Sequence, residues 1–453
     1  MSKKLSALLV LGLVATLLSA AVPAMAAPQK QGVTDLKIIW AEWDPANYLA
    51  ELVKDYQKEA GVTVTIVTEP WSSYQTRVMA EWAAKGTAFD MVFGDSQWLG
   101  TGAIQGHYVE LTDFLKQNNL LDVFTPATLK FYGEYPAGSA RYWAVPGEGD
   151  AEGWAYRKDL FEDPTEMANF KAKYGYDLAV PKDYKQFRDI AEFFTRPDKN
   201  LYGVFLYTQR DYDAITMGVE QTMFSYGAGW QDTCNNVLGV VNSKKAIEAL
   251  QMYKDLYKFN PPGNTNGFYP ESNSAFVSGQ VAMAMNYFAF FPILANPKTN
   301  PYADKTGYFA NPAGPDGDRY AALGGQGISI NSYIAPERIE ASEAFLKWFS
   351  REDVQTKWAQ LGGYSCDAKV LAQPEFMKIA PFNQAFADTM VMVKDFWNTP
   401  EYASLLSVAQ TAFSSFIVGD QGGTAADVMN NLAQEQDKIL KDAGAIKEGC
   451  TAQ

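Results

Sequence analysis

Leu36-Lys37-Ile38-Ile39-Trp40, then Asp44-Pro45, then Leu49, Leu52, Val53 and Tyr56 ahead of Gly61, decide the fold of this chain. The first run is apolar and of strand length. Asp44-Pro45 reads as an N-cap followed by the first residue of a helix. The next four apolar residues recur at helical spacing, and Gly61 supplies the residue that ends a helix in a left-handed conformation. Residues 62–67 are β-branched throughout and predict a second strand. A helix over 72–84, with Tyr74, Val78 and Trp82 on one side, and a buried strand over 89–93 continue the alternation. Strand, helix, strand, helix, strand is the pattern of a mostly parallel sheet with helices on its faces.

The alternation resumes past the middle of the chain. Residues 243–259 form an amphipathic pattern with Ile247, Leu250, Tyr253, Leu256 and Tyr257 as its core stripe. A strand is expected over 281–285, and helices over 337–349 and 424–440. No internal repeat or low-complexity linker interrupts them. The stretch 276–295 is apolar but broken by Ser278, Gln280, Asn286 and Pro292, which predicts a buried strand and a short helix rather than a membrane span.

The first 26 residues have a different character. Lys3 and Lys4, an apolar stretch over 5–22 and Ala24-Met25-Ala26 form the pattern of a cleaved secretory leader, without a cysteine for lipid attachment. The expected mature chain of about 427 residues is too long for one core, so two lobes are expected. Cleavage would move the net charge from −14 to −16, a surface that argues against nucleic acid as a partner. Three cysteines, Cys234, Cys366 and Cys450, allow one disulfide in an oxidising compartment, and spacing does not choose among the three pairings.

Several segments in order resemble the extracellular solute-binding family that serves carbohydrate ABC importers, the group that includes maltose-binding protein. They are residues 37–56, Gly86-Thr-Ala-Phe-Asp90, Asp95-Ser-Gln-Trp98, Val145-Pro146 and Tyr156-Arg-Lys-Asp-Leu-Phe161. Phe276-Val-Ser-Gly279-Gln-Val-Ala-Met283, Gly314-Pro-Asp-Gly317, Leu323-Gly-Gly325 and Ala344-Phe-Leu-Lys-Trp-Phe349 follow. The resemblance implies an α/β, type II periplasmic binding protein architecture with the ligand in a cleft between two hinged lobes. It implies a first lobe over 33–144 and 312–363, and a second over 145–311 and 364–453. Val145-Pro146, residues 311–314 and residues 362–365 would be the crossings. The segment 163–180 is longer and more charged than the connection usual at that place. As implied partners the protein would have a sugar or polyol ligand and the permease subunits of an importer. It is expected to act as a monomer in the periplasm, without a cofactor.

A sugar presents hydroxyls, which carboxylates and amides satisfy, and flat C–H faces, which aromatic rings cover. In open parallel sheets ligands sit beyond the carboxyl ends of the strands. Glu42, Trp43 and Asp44 follow the first strand, with Asp44 equally suited to a helix cap. Trp71 follows the second strand, and Asp95 and Trp98 the third. Asp90 and Arg157 suit structural ion pairs better. Glu148 and Asp150 lie where the family crosses between lobes, in a loop spaced G-x-G-x-x-x-G that does not fit a dinucleotide motif. Trp230 resembles the stacking aromatic of a second lobe. Asn286 and Tyr287 follow a strand, while Gln326 and Tyr364 lie beside Gly-Gly pairs near expected crossings.

Other functions compete with capture of a sugar. One histidine, His107, set in a surface-like segment, and no HExxH, CxxC, G-x-S-x-G or P-loop remove the usual parts of most hydrolytic and phosphate chemistry. A glycosidase needs only two carboxylates, which 52 acidic residues do not exclude. A polyamine would suit the acidic loops as well as a sugar does. A phosphorylated solute would want basic loops, and a metal would want histidine or a tight carboxylate set.

Overall fold

The protein is described as a computed structural model covering residues 32–210, 213–421, 423–447 and 449–450. The leader expected over residues 1–26 lies outside the described residues.

Two sheets organise the chain. In the first, β1 (Asp35–Ala41) runs parallel to β2 (Thr63–Glu69) and β3 (Met91–Asp95), so the carboxyl ends of all three emerge at one edge. The later strand β10 (Gln326–Ile330) joins antiparallel to β3, and β4 (Val145–Glu148) closes the order β2-β1-β3-β10-β4. Between β1 and β2 runs helix α1 (Asp44–Ala60), which buries Leu49, Leu52, Val53 and Tyr56, and Gly61 ends it at φ 71° as its position requires. The N-cap is Trp43, with no side-chain bond, and Asp44 is the first helical residue, so its expected role as a cap is not seen. Helix α2 (Trp71–Ala83) follows β2.

The second sheet has the order β6-β7-β5-β8, from β5 (Glu152–Arg157), β6 (Tyr202–Phe205), β7 (Val281–Tyr287) and β8 (Thr306–Ala310). β7 is buried along its whole length and is followed by the short helix Pro292–Ala295, as the broken apolar stretch predicts. Among the described residues no helix is long and apolar enough to cross a membrane. Helices Tyr184–Phe194, Ala214–Ser225, Lys244–Tyr257, Tyr402–Ile417 and Ala425–Asp442 build the core on one face of this sheet. Helix Ala214–Ser225 is buried at every residue, polar ones included. The charged segment after residue 163 becomes the helix Pro164–Tyr174, capped by the Asp163 carboxylate.

The chain passes from the first sheet to the second through Gly149, Asp150 and Ala151. Val145-Pro146, expected to be a crossing, is the start of β4 within the first sheet. A second passage runs from the end of β8 to β10, by way of β9 (Ala321–Ala322), which pairs in parallel with β11 (Val393–Lys394).

Two long-range ties fix distant segments. Arg338 grips Asp90 with Nε to Oδ1 at 2.5 Å and Nη2 to Oδ2 at 2.7 Å, and Asp90 also accepts the Lys37 backbone N–H. Cys234 is bonded to Cys450 across 216 residues, leaving Cys366 buried and free. His107 is not the surface residue its loop suggested. It is 8% exposed, stacks on Trp82 at 4.9 Å, and burial lowers its pKa below the ordinary value.

Candidate ligand-binding cleft

The carboxyl ends of β1, β2 and β3 deliver Trp43, Trp71, Asp95 and Gln97 to one wall of a cavity of about 520 Å³. The opposite wall comes from the second sheet and its helices: Tyr287 at the end of β7, Phe290 just beyond it, Met217, Phe268 and Tyr269. Asp150 and Gly324, from the two passages between sheets, close the space between the walls. A cleft between two α/β bodies is therefore present, and the loops after the parallel strands line it.

The aromatic surface is continuous across the cleft. Trp40 stacks on Phe93 at 3.7 Å and meets Trp43 edge-on at 5.5 Å. Trp43 in turn meets Trp71 at 5.2 Å and faces Phe290, from the other wall, at 6.1 Å. Phe290 stacks on Tyr269 at 4.0 Å. Trp43 and Phe290 are thus near neighbours from opposite sides.

The polar groups are held by bonds from behind. Gln326 accepts from Trp40 Nε1 and donates to Asp95 Oδ1, which orients the Asp95 carboxylate while occupying the Gln326 amide on both sides. Asp150 is 2% exposed and accepts the backbone N–H groups of Ala151 at 2.9 Å and Ala289 at 3.3 Å. Burial still pushes its pKa well above the carboxylate range, because these backbone donors, with the Phe288 N–H beside them, do not replace the water it has lost.

Behind this lining lies a layer of enclosed acids. Glu148, Glu152 and Glu220 are 0% exposed and Asp213 is 2% exposed. Burial is the first cause of a raised pKa at each, and the repulsion of a neighbouring carboxylate adds to it. Glu152 faces Tyr287 in the β5–β7 register, and neither of its carboxylate oxygens has a hydrogen-bond partner. Asp213 accepts from Gln97 Nε2 at 3.1 Å and from the Tyr402 hydroxyl at 3.0 Å. Among the described residues no group of three His, Cys, Asp or Glu side chains is placed to hold a metal ion.

Of the residues singled out from sequence, Trp43, Trp71, Asp95, Asp150 and Tyr287 line the cavity. Glu42 and Asp44 are exposed and outside it. Trp98, 2% exposed, packs on Tyr74 in the first core. Trp230 is buried against Trp397 at 4.2 Å, with its ring N–H donated to Glu220, so it is a core residue of the second body rather than part of the lining. Asn286 spends its amide on Tyr207 and Asn273. Glu148 and Gln326 lie behind the wall. Tyr364 opens onto a separate depression beside Tyr48 and Phe382, its hydroxyl donated to the Phe288 carbonyl. Gln97, Met217, Phe268, Tyr269 and Phe290 line the cavity without having been singled out. Gln97 alone carried a signal, since it sits between Asp95 and Trp98 in the loop already chosen.

A deep cleft bounded by two α/β bodies, lined by rings and carboxylates and fed by chain crossings, defines the class of two-lobed solute-binding proteins. Residues 42–356 match the family model of the bacterial extracellular solute-binding protein, and the chain belongs to that family. A probable ABC transporter-binding protein of Deinococcus radiodurans is 24% identical over 72% of this chain and 74% of its own length. The erythritol/L-threitol-binding protein of Mycolicibacterium smegmatis is 20% identical over 76% of this chain and 72% of its own. Among solved structures, a maltose-bound protein of T. maritima superposes with a TM-score of 0.76 at 24% identity, covering 90% of this chain and 100% of that one. A ribitol complex from Agrobacterium radiobacter gives 0.75 at 22% identity, covering 90% and 98%. The fold is thus that of the type II periplasmic binding proteins, as the sequence resemblance implied.

Proposed function

We propose that the protein captures a sugar or polyol in the cleft, without chemical change, and delivers it to the permease of an ABC importer. The observation that carries this is the pairing of Trp43 and Trp71 with Asp95 and Asp150 in one cavity between the two bodies. Rings cover C–H faces while carboxylates accept from hydroxyls. The relatives named above for erythritol, ribitol and maltose add weight to a sugar or polyol as the class of solute.

Trp43, Trp71, Asp95, Asp150 and Tyr287 are the proposed contacts. Gly149–Ala151 and the chain between β8 and β10 are the proposed hinge, so the first lobe, expected over 33–144 and 312–363, takes β4 with it. Ligand that touches both walls gains its full contacts only when they close, and so shifts the population toward closure. The amino-terminal leader pattern supports export to the periplasm.

A thermal-shift and calorimetric screen of the mature protein against erythritol, ribitol, mannitol, glucose and maltose tests the proposal, with an assay for new reducing ends alongside. Saturable binding of one class with no product supports it. Release of product would make the protein a glycosidase, and binding of none of these solutes would discard the sugar or polyol claim.

A further inference from the structure

We propose that the solute spans two sugar units, as a disaccharide or its alditol, with one unit on the buried floor of the cleft and the second at its mouth; this rests on the sugar or polyol reading above and narrows it.

The cavity is too large for one unit. Its walls are already joined, by the Gln97–Asp213 bond at 3.1 Å and by Trp43 beside Phe290 at 6.1 Å, so the 520 Å³ between them is not the gap of parted lobes. A hexose occupies about 180 Å³, taking roughly half of a water's ~30 Å³ liquid share for each of its heavy atoms. One unit therefore fills about a third of the space and two units about two thirds. Small-molecule clefts cover about 70–90% of their ligand's surface, which a single unit in so wide a space leaves undone.

The lining changes character between floor and mouth. At the floor the carboxylates of Asp95 and Asp150 are buried, as is the ring of Tyr287. Toward the mouth the polar groups are amides instead: Gln75 and Gln209 are half-buried and Asn266 is exposed. An amide both donates and accepts, and so matches a hydroxyl in either sense. The rings extend the same way. On the first wall Trp43 meets Trp71 at 5.2 Å, and Gln75 lies one helical turn beyond Trp71 on the same face of α2. Four helical residues advance the chain by about 6 Å, close to the length of one more sugar unit. On the second wall Phe290 stacks on Tyr269 at 4.0 Å, in the half-exposed segment that also carries Asn266. Each wall thus holds an inner and an outer ring, which suits two successive C–H faces better than one.

The test compares each two-unit ligand with its own unit. Titration calorimetry on the mature protein would use maltose and cellobiose against glucose, and maltitol against sorbitol. The two-unit member of at least one pair is expected to bind about tenfold tighter or more. Gln75→Ala and Tyr269→Ala, each checked for an intact melting transition, are expected to weaken that ligand by about five- to tenfold while leaving the one-unit ligand within about twofold. Trp43→Ala, between floor and mouth, is expected to weaken both. Should Tyr269→Ala fail to fold, Gln75→Ala carries the comparison. A single sugar unit or a polyol that binds as tightly as any two-unit ligand overturns this inference and leaves the sugar or polyol reading standing. So does a loss shared by both ligands, or by neither, in the mouth variants. If no sugar or polyol binds at all, the earlier reading falls and this inference falls with it.

Discussion

Gln97 Nε2 donates to Asp213 Oδ2 at 3.1 Å, joining the segment after β3 to the start of helix Ala214–Ser225 across the cleft. Both side chains are buried, at 4% and 2% exposure, and Tyr402 donates to the same oxygen. A hydrogen bond to a charged or charge-sharing group in such surroundings is worth about 1.5–3 kcal/mol. Because its two ends lie on opposite walls, that free energy is present only when the walls are together. Gln97→Ala should therefore weaken ligand binding by about tenfold or more. Small-angle scattering should show the liganded variant shifted toward the more extended form. An unchanged affinity would mean that the contact does not contribute to closure.

Trp43 and Trp98 were both chosen from loops that follow strands, yet the structure puts them to different uses. Trp43 lines the cavity and touches Phe290 across it, whereas Trp98 is sealed in the first core against Tyr74. Trp43→Ala should lower affinity by about 10- to 100-fold with a modest change in melting temperature. Trp98→Ala should cost about 3–5 kcal/mol of stability while the folded fraction keeps its affinity. Denaturation and calorimetry on the same two variants separate the outcomes. The reverse pattern would exchange the roles assigned to the two rings.

This pair also shows what is legible in a sequence. Strand-then-helix alternation exposes the sheet, because periods of 2 and 3.6 report which side of each element is buried. That placed Trp43, Trp71 and Asp95 at the carboxyl edge of the first sheet. Depth is a different matter. Whether a ring after a strand turns into the cleft or back into the core depends on the neighbours it meets, and those come from distant segments: Phe290 for Trp43, Tyr74 for Trp98, Trp397 for Trp230. Gln326 was read as a contact from its place after Gly324-Gly325, but its amide is consumed by Trp40 and Asp95. Glu152, Asp213 and Glu220 carried no local mark at all, since an acid in a sequence is ordinarily a solvated one.

The Cys234–Cys450 bond ties the loop after helix Ala214–Ser225 to the end of the described chain, closing 216 residues of sequence. Constraining so long a loop in the unfolded ensemble is worth about 2–5 kcal/mol. Reduction, or Cys450→Ser, should lower the melting temperature by several degrees without altering ligand affinity, because neither cysteine lines the cavity. A thermal scan with and without dithiothreitol checks this, and Cys366, being buried and free, serves as the unreactive control.

The enclosed acids set the direction of the pH response. Asp395 keeps partial exposure as a residue, but its carboxyl is enclosed, and burial pushes its pKa from an ordinary value near 3.8 up to about 7. Ser96 and the Phe396 N–H stabilise its charged form, and Asp95 opposes it. Glu152, Asp213 and Glu220 are shifted the same way, again by burial first. A carboxyl whose folded pKa lies above its unfolded value binds more protons when folded. Its contribution is complete below the unfolded pKa and is lost as pH rises through the folded one. The protein should therefore be more stable near pH 5 than near pH 8, with much of the decline between about pH 4 and 7 assignable to Asp395. Asp395→Asn should flatten that part of the profile in urea denaturation series. A stability that rises steadily from pH 5 to 8 would show that these carboxyls are ionised in the folded protein.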